Sequence, residues 1–447
     1  MGVQMEPIVT VYAFSDLYAE FAAVSMTSLL QNTKRECHIH IFEHSLSREA
    51  RTRLFRLEDM YSNAKITIHH IPREKPEAHN ILEEITDLHG KEVWYHTLAP
   101  EILHNFDKVL ILDADTLICR DISELYDTDL GCACIAARIA APSLEEYDLI
   151  TWKRSFTRLN AGVMLCNLKT LREKDFFNTR RVVETVKKIR PFYPDKGWAV
   201  IETFCSYIFK RDHLIRLAGK YNSSCLMNMS DIYFDQRVDF SELYEAVNDP
   251  VVIHFIYNKP NMPPENKMYD FRYAKWWEYL SISPYANPER DKEKFEEFKR
   301  KDRSFRDTPL GKEDYRRLCL FDDLLEAGEK LKQLSSVGMK IAVYGAGDYG
   351  FQFIRLARLM NVKVDYICDM LKCGRVMDGI EIDSPEILSG IAGDTVVVIA
   401  IEEPRVWTEI KKKLICMGYP EKHILPVYEP FAVGGRKWCE VLEAVSL

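Results

Sequence analysis

Apolar and polar positions along the chain alternate between a strand-like period of two and a helix-like period near 3.6. Ile8 to Phe14 reads as a strand, Leu17 to Gln31 as an amphipathic helix and His38 to Phe42 as a second strand. A helix from Arg48 to Met60 and a strand from Lys65 to His69 follow. This order predicts repeated βαβ units on a largely parallel sheet, the usual frame of a nucleotide site. The aliphatic run Val109 to Leu112 is apolar on both faces, as a strand covered by helices on both sides should be. Three more apolar strands are expected at Ala133 to Ala137, Ala161 to Cys166 and Val251 to Phe255.

From about Ser283 to Val337 the pattern turns helical and highly charged. Residues 291–306, DKEKFEEFKRKDRSFR, place Phe295, Phe298 and Phe305 among many charges. They read as a solvated helix docked by its aromatic stripe; a basic, aromatic contact with a membrane surface is the alternative, weakened by the acidic residues. A second βα module starts at Met339. Its expected elements are a strand Lys340 to Tyr344, a helix to Met360, strands Lys363 to Cys368 and Thr395 to Ile401, a helix Val406 to Met417 and a strand His423 to Val427. Gly345, Gly347 and Gly350 in GAGDYG match the turn that brings a backbone against a pyrophosphate, and Asp365 and Asp369 lie where a ribose-binding acid is expected. The same glycines also suit a tight turn that binds nothing. The chain thus divides into residues 1–285, a charged helical linker at 286–337, and a Rossmann-like unit at 338–447.

Composition narrows the classes. With 447 residues there is room for two or three cores, and 29% charged residues in a normally apolar chain argue against disorder. A net charge of −8 argues against a general nucleic-acid binder. No run approaches the ~20 apolar residues of a membrane span, and the N-terminus has no signal-peptide core. Twelve cysteines without a C-x-x-C pair read as reduced core residues. The expected compartment is the cytoplasm, with at most peripheral contact at the inner membrane face.

The candidate chemistry begins where VLILDADTLICRD ends a buried strand on Asp113 and Asp115. Residues i and i+2 of an extended segment point the same way, so both carboxylates can face one cation. An Asp-rich turn with a helix cap at Asp121 is the plain structural reading. An EF-hand is excluded because its required glycine position holds Ile118, and a dehalogenase-type phosphatase because Leu117 stands where Thr or Val is needed. VVIHFIYNKPN adds His254 at another strand end, with Lys259 suited to a phosphate. Two carboxylates and one imidazole favour Mn²⁺ over the all-oxygen ions, with Mg²⁺ as the second choice.

With these segments, residues 7–285 resemble glycosyltransferase family 8, the retaining, metal-dependent GT-A enzymes. The resemblance is carried by DKVLILDADTLICRDISELYDTDL at 107–130, LNAGVMLCNL at 159–168, KYN at 220–222, HFIYNKP at 254–260 and Trp276-Trp277. It implies a mixed Rossmann-like sheet and a hexose donor bound as a UDP-sugar, glucose or galactose, with a saccharide or glycolipid acceptor. It implies that Asp113, Asp115 and His254 hold Mn²⁺, that Lys259 contacts the diphosphate, and that Tyr18, with Ala13 and Asp16, receives the nucleotide. Asn160, Ala161 and Gly162 would line the donor sugar. Asp195 and Glu202 are the candidate carboxylates near the anomeric carbon, and front-face transfer is favoured over a double displacement. The chain departs from the family pattern at Thr97, where an arginine is usual, at Arg138, where a carboxylate is common, and in the segment around Asp195. Those departures define the alternative, a non-catalytic nucleotide-sugar sensor or scaffold. The second module resembles small Rossmann-like domains appended to bacterial glycan-assembly enzymes, which implies a surface-polysaccharide setting and a nucleotide as its candidate ligand.

Overall fold

The structure, a computed structural model, describes residues 6–86, 90–139, 159–190, 200–209, 213–224, 245–246, 249–256, 259–261, 272–308, 330–359, 361–401 and 404–426. Nine strands occupy the described part of the first module: β1 (Ile8–Ala13), β2 (Cys37–Glu43), β3 (Ala64–His70), β4 (Lys108–Leu112), β5 (Thr116–Ile118), β6 (Ile135–Ile139), β7 (Leu159–Asn167), β8 (Leu214–Arg216) and β9 (Val252–His254). Seven form one sheet in the order β3-β2-β1-β4-β7-β6-β8. β3, β2, β1 and β4 run parallel, as the βαβ pattern predicts. β7 runs antiparallel to both β4 and β6, so the sheet is mixed.

The helix Ala19–Asn32 lies against the core along nearly its whole length, burying Phe21, Val24, Met26, Leu29 and Leu30. It opens two residues later than its apolar period suggests, after a 3-10 turn at Asp16–Tyr18. β7 is longer than its expected run Ala161 to Cys166, because its first residues pair across to Arg138 and Ile139 after a register shift. β5, β8 and the hairpin described below were not foreseen: strands of two to four residues are shorter than the window over which periodicity is readable.

The helix Pro288–Arg306 is docked, not free. Phe295 and Phe298 are each 1% exposed and join the same core as Trp276 and Trp277 of the helix Tyr273–Ser281. The Trp277 and Phe295 rings lie 5.5 Å apart, and Tyr273 meets Phe298 edge-on at 5.7 Å. Asn287 caps the helix by accepting from the Arg290 amide at 3.2 Å.

A second sheet gathers β10 (Lys340–Tyr344), β11 (Tyr366–Cys368), β12 (Val376–Met377), β13 (Ile380–Asp383), β14 (Thr395–Ile399) and β15 (Ile424–Pro426) in the order β12-β13-β11-β10-β14-β15. All neighbours are parallel except the β12–β13 hairpin. β10 has β11 on one side and β14 on the other, so the glycine loop that follows it sits where the strand order reverses. Gly345 takes φ +110°, and a side chain there would meet the Ala400 carbonyl at 2.7 Å; one at Gly350 would overlap the Gly345 carbonyl. Gly347 faces open space. Asp369 accepts from the Ala346 amide at 2.8 Å, and Lys372 donates to the Ala346 carbonyl at 2.6 Å. The loop's own packing therefore explains two of its three glycines.

Among the described cysteines, Cys37, Cys134, Cys166, Cys205 and Cys368 are buried as expected, but Cys132, Cys373 and Cys416 are exposed and so are not core residues. No helix among the described residues is long and apolar enough to cross a membrane.

Candidate functional site

Asp113 and Asp115 sit in a tight turn between β4 and β5, not in one extended strand. The Asp113 carbonyl accepts from the Thr116 amide at 3.2 Å and from the Thr116 hydroxyl at 2.8 Å, which folds the chain back on itself. The Asp113 amide is tied in turn to the Gly162 carbonyl of β7 at 2.9 Å. β5 then pairs antiparallel with β9 in a register that sets Thr116 opposite His254, so the imidazole arrives beside Asp115. His254 Nε2 lies 3.3 Å from Asp115 Oδ1 and 3.5 Å from Asp113 Oδ2.

One ligand atom from each of Asp113, Asp115 and His254 lies within 4.8 Å of the other two. Ligand atoms roughly 2.0–2.6 Å from a shared divalent ion are at most about 5 Å apart, so the donor set fits such an ion. Lys259 is the cation the chain itself supplies: its ammonium donates to Asp115 Oδ2 and, at 2.8 Å, to the Phe255 carbonyl. Burial pushes the Lys259 pKa down to about 8, against the opposing pull of the Asp113 charge. Burial also pushes the Asp113 carboxyl up, but the facing His254 ring and the nearby His96 and Lys259 charges outweigh this and hold it below its ordinary range. Asp113 keeps 38% of its side chain open to solvent and Asp115 10%, so the cluster has one accessible side.

Tyr18 belongs to this group, with its ring centroid 5.9 Å from the Lys259 ammonium and its hydroxyl pKa raised by burial and by Asp113. Asp16 is exposed at the next turn and accepts from the Ser47 amide at 3.0 Å; Ala13 ends β1 beside them, half-buried. Asn160, Ala161 and Gly162 lie on β7, and Gly162 is pressed beneath the His254 ring, which a Cβ there would overlap. Asn160 bonds Glu202 Oε1 at 3.0 Å, so Glu202 of the helix Val200–Ile208 reaches the edge of the site. Asp195 lies outside the described residues. Gly345, Gly347 and Gly350 form a separate feature on the second sheet.

Thr97 is buried and its hydroxyl donates to the Trp94 carbonyl at 2.7 Å. Arg138, 4% exposed, donates to the Asn222 carbonyl and to the Ser224 hydroxyl. Two residues with no role assigned from the sequence stand at the site. Asn222, fully buried, sets its side-chain Oδ1, an acceptor, 3.2 Å from His254 Nδ1; its presence in KYN was the available signal. His96, 3% exposed and one residue before the Thr97 position, has its pKa lowered by burial against the opposing Asp113 charge.

The site is thus an acidic turn at the carboxyl edge of a mixed sheet, facing a strand-end histidine. A family model described as Glycosyl transferase family 8 matches residues 9–260, more than half of the chain, and the chain belongs to that family. It is 23% identical over 171 residues to a putative glycosyltransferase of Haemophilus influenzae, a match covering 37% of this chain and 50% of that protein. It is 19% identical over 204 residues to general stress protein A of Bacillus subtilis, covering 44% and 68%. The chain thus spans half the length of the first relative and about two thirds of the second. Among solved structures it resembles the galactosyltransferase LgtC in complex with donor and acceptor sugar analogues, with a TM-score of 0.50 and 18% identity over 64% of this chain and 100% of that one. That likeness establishes the GT-A fold.

Proposed function

We propose that the chain is a retaining, metal-dependent hexosyltransferase that moves glucose or galactose from a UDP-sugar to a hydroxyl of a saccharide or glycolipid acceptor in surface-glycan synthesis. The observation that carries this reading is the convergence of Asp113, Asp115 and His254, with Lys259 beside them, at the mouth of the first sheet. Family membership supports glycosyl transfer, and the sugar analogues bound by the galactosyltransferase relative support the partner classes.

Asp113, Asp115 and His254 would hold Mn²⁺, or Mg²⁺ in its place, and the ion when bound supplies Lewis-acid neutralisation of the diphosphate. Lys259, released from Asp115, would place its ammonium on the same phosphates, and Tyr18 its ring on the base, with Asp16 and Ala13 flanking the nucleotide. In the transfer the bond from C1 to the β-phosphate oxygen breaks, the acceptor oxygen bonds C1 on the same face, and the acceptor proton ends on the departing phosphate. The engagement of Glu202 Oε1 by Asn160 supports this front-face route over attack by Glu202. Asp195 is retained as the second candidate carboxylate.

A second reading, a non-catalytic nucleotide-sugar sensor, is favoured by Thr97, whose neutral, internally bonded hydroxyl leaves the family's arginine charge without a replacement at that position. Hydrolysis of UDP-glucose or UDP-galactose in Mn²⁺ without acceptor separates the two. Slow release of free hexose, abolished in Asp115→Ala, is expected; UDP binding with no turnover by any UDP-hexose would leave the sensor reading.

A further inference from the structure

We infer that Asn222 is a positioning residue that fixes His254 as its Nδ1–H tautomer and so turns an unprotonated Nε2 toward the cation position; this rests on the divalent-ion reading above. A carboxylate oxygen can only accept a hydrogen bond and a backbone N–H can only donate one. Asn160 stands between one of each: its Nδ2 lies 3.0 Å from Glu202 Oε1, and its Oδ1 lies 3.0 Å from the Gly162 amide nitrogen. Its amide therefore has a single orientation. The same Oδ1 lies 2.7 Å from Asn222 Nδ2, which must donate, and this leaves Asn222 Oδ1 facing His254 Nδ1 at 3.2 Å. An amide oxygen only accepts, so Nδ1 carries the hydrogen. In the neutral ring Nε2 then keeps its lone pair, and Nε2 is the atom directed at Asp113 and Asp115.

The chain of bonds is sealed from water: Asn222 is 0% exposed, His254 3% and Asn160 9%. Reversing either amide inside it would set donor against donor or acceptor against acceptor and leave buried polar groups unpaired. The backbone holds the same arrangement. The His254 amide donates to the Ser223 carbonyl at 2.9 Å, and Arg138 donates to the Asn222 carbonyl, so Asn222 and His254 cannot drift apart independently. A side chain at position 162 would overlap the ring, so the glycine there leaves the imidazole the place it occupies. Glu202, on the far side, thereby orients the metal-side histidine through two amides.

The test measures Mn²⁺ affinity of the full chain by electron paramagnetic resonance of the free ion, with melting temperature alongside. Asn222→Leu removes both polar atoms, whereas Asn222→Asp keeps an acceptor opposite Nδ1 but sets an acceptor against Asn160. Both variants should melt lower than wild type. Only Asn222→Leu should lose metal affinity, by about 10–100-fold, the usual effect of removing an outer partner of a ligating histidine. In ¹⁵N-histidine-labelled protein at alkaline pH without divalent ion, the His254 ring should show the Nδ1–H pattern in wild type and Asn222→Asp and lose that preference in Asn222→Leu. Wild-type affinity in folded Asn222→Leu would overturn the inference. Should Asn222→Leu fail to fold, a tenfold loss in Asn222→Asp, or an Nε2–H pattern in wild type, would overturn it equally. No Mn²⁺ binding by the wild type would instead remove the divalent-ion reading on which the inference stands.

Discussion

Gly162 shows at the scale of one residue why a motif position can be intolerant without touching a ligand. The family resemblance makes it a sugar-lining residue; in the structure its missing side chain is the space the His254 imidazole occupies. Gly162→Ala should cost about 1–3 kcal/mol in urea denaturation, as other insertions into packed sites do, and should also abolish Mn²⁺-dependent stabilisation by UDP. A variant as stable as wild type and still responsive to Mn²⁺ would contradict that placement. Asp115→Asn keeps the shape of the turn but exchanges a carboxylate for an amide beside Lys259. We expect the UDP thermal response in Mn²⁺ to vanish while the melting temperature of the free protein changes by only a few degrees.

Elements meet through a few side chains whose energetics can be checked one pair at a time. His40 of β2 stacks on His69 of β3, 3.0 Å from ring nitrogen to ring nitrogen, and burial with neighbouring positive charge pushes its pKa down to about 3. A histidine with a depressed folded pKa is neutral when folded and protonates first in the unfolded chain. Its contribution is thus fully present above the unfolded value of about 6.5 and is lost as pH falls from there toward 3, at up to about 1.4 kcal/mol per pH unit. The urea midpoint should drop between pH 7 and 5, and His40→Gln, which cannot titrate, should show a shallower fall. At the other end of the module, Phe298→Ala should cost about 3–5 kcal/mol, because Phe298 is packed against Tyr273 and Phe295. A loss below 1 kcal/mol would mean that the helix Pro288–Arg306 is not docked in solution. Arg290 on that helix pairs with Glu20 at 2.8 Å, and Glu20 accepts from Asn261 at 2.9 Å, two residues beyond Lys259. The charged helix therefore reaches the edge of the candidate donor site, which its sequence alone did not suggest.

For the molecule as a whole, we propose that the donor site belongs entirely to the first module. A chain ending near Val337 should keep the Mn²⁺-dependent melting response to UDP; a response that disappears with the second sheet would refute this. Much of that architecture was readable in the sequence. The βαβ order, the strand at Val109 to Leu112, the glycine turn after Tyr344 and the set Asp113, Asp115, His254 and Lys259 all follow from local patterns, because helix and strand periods and strand-end polar residues are written within a few neighbouring positions. Tertiary structure alone decided the rest. The two aspartates converge through a turn closed by Thr116 and a β5–β9 pairing between residues far apart in the chain, not through strand alternation. Asn222, Asn160 and Glu202 become one hydrogen-bonded line to His254 only when β7, the helix Val200–Ile208 and the segment before β9 are brought together. Local pattern records which face of an element is apolar, but which buried polar group meets which depends on contacts across the chain that no short window contains.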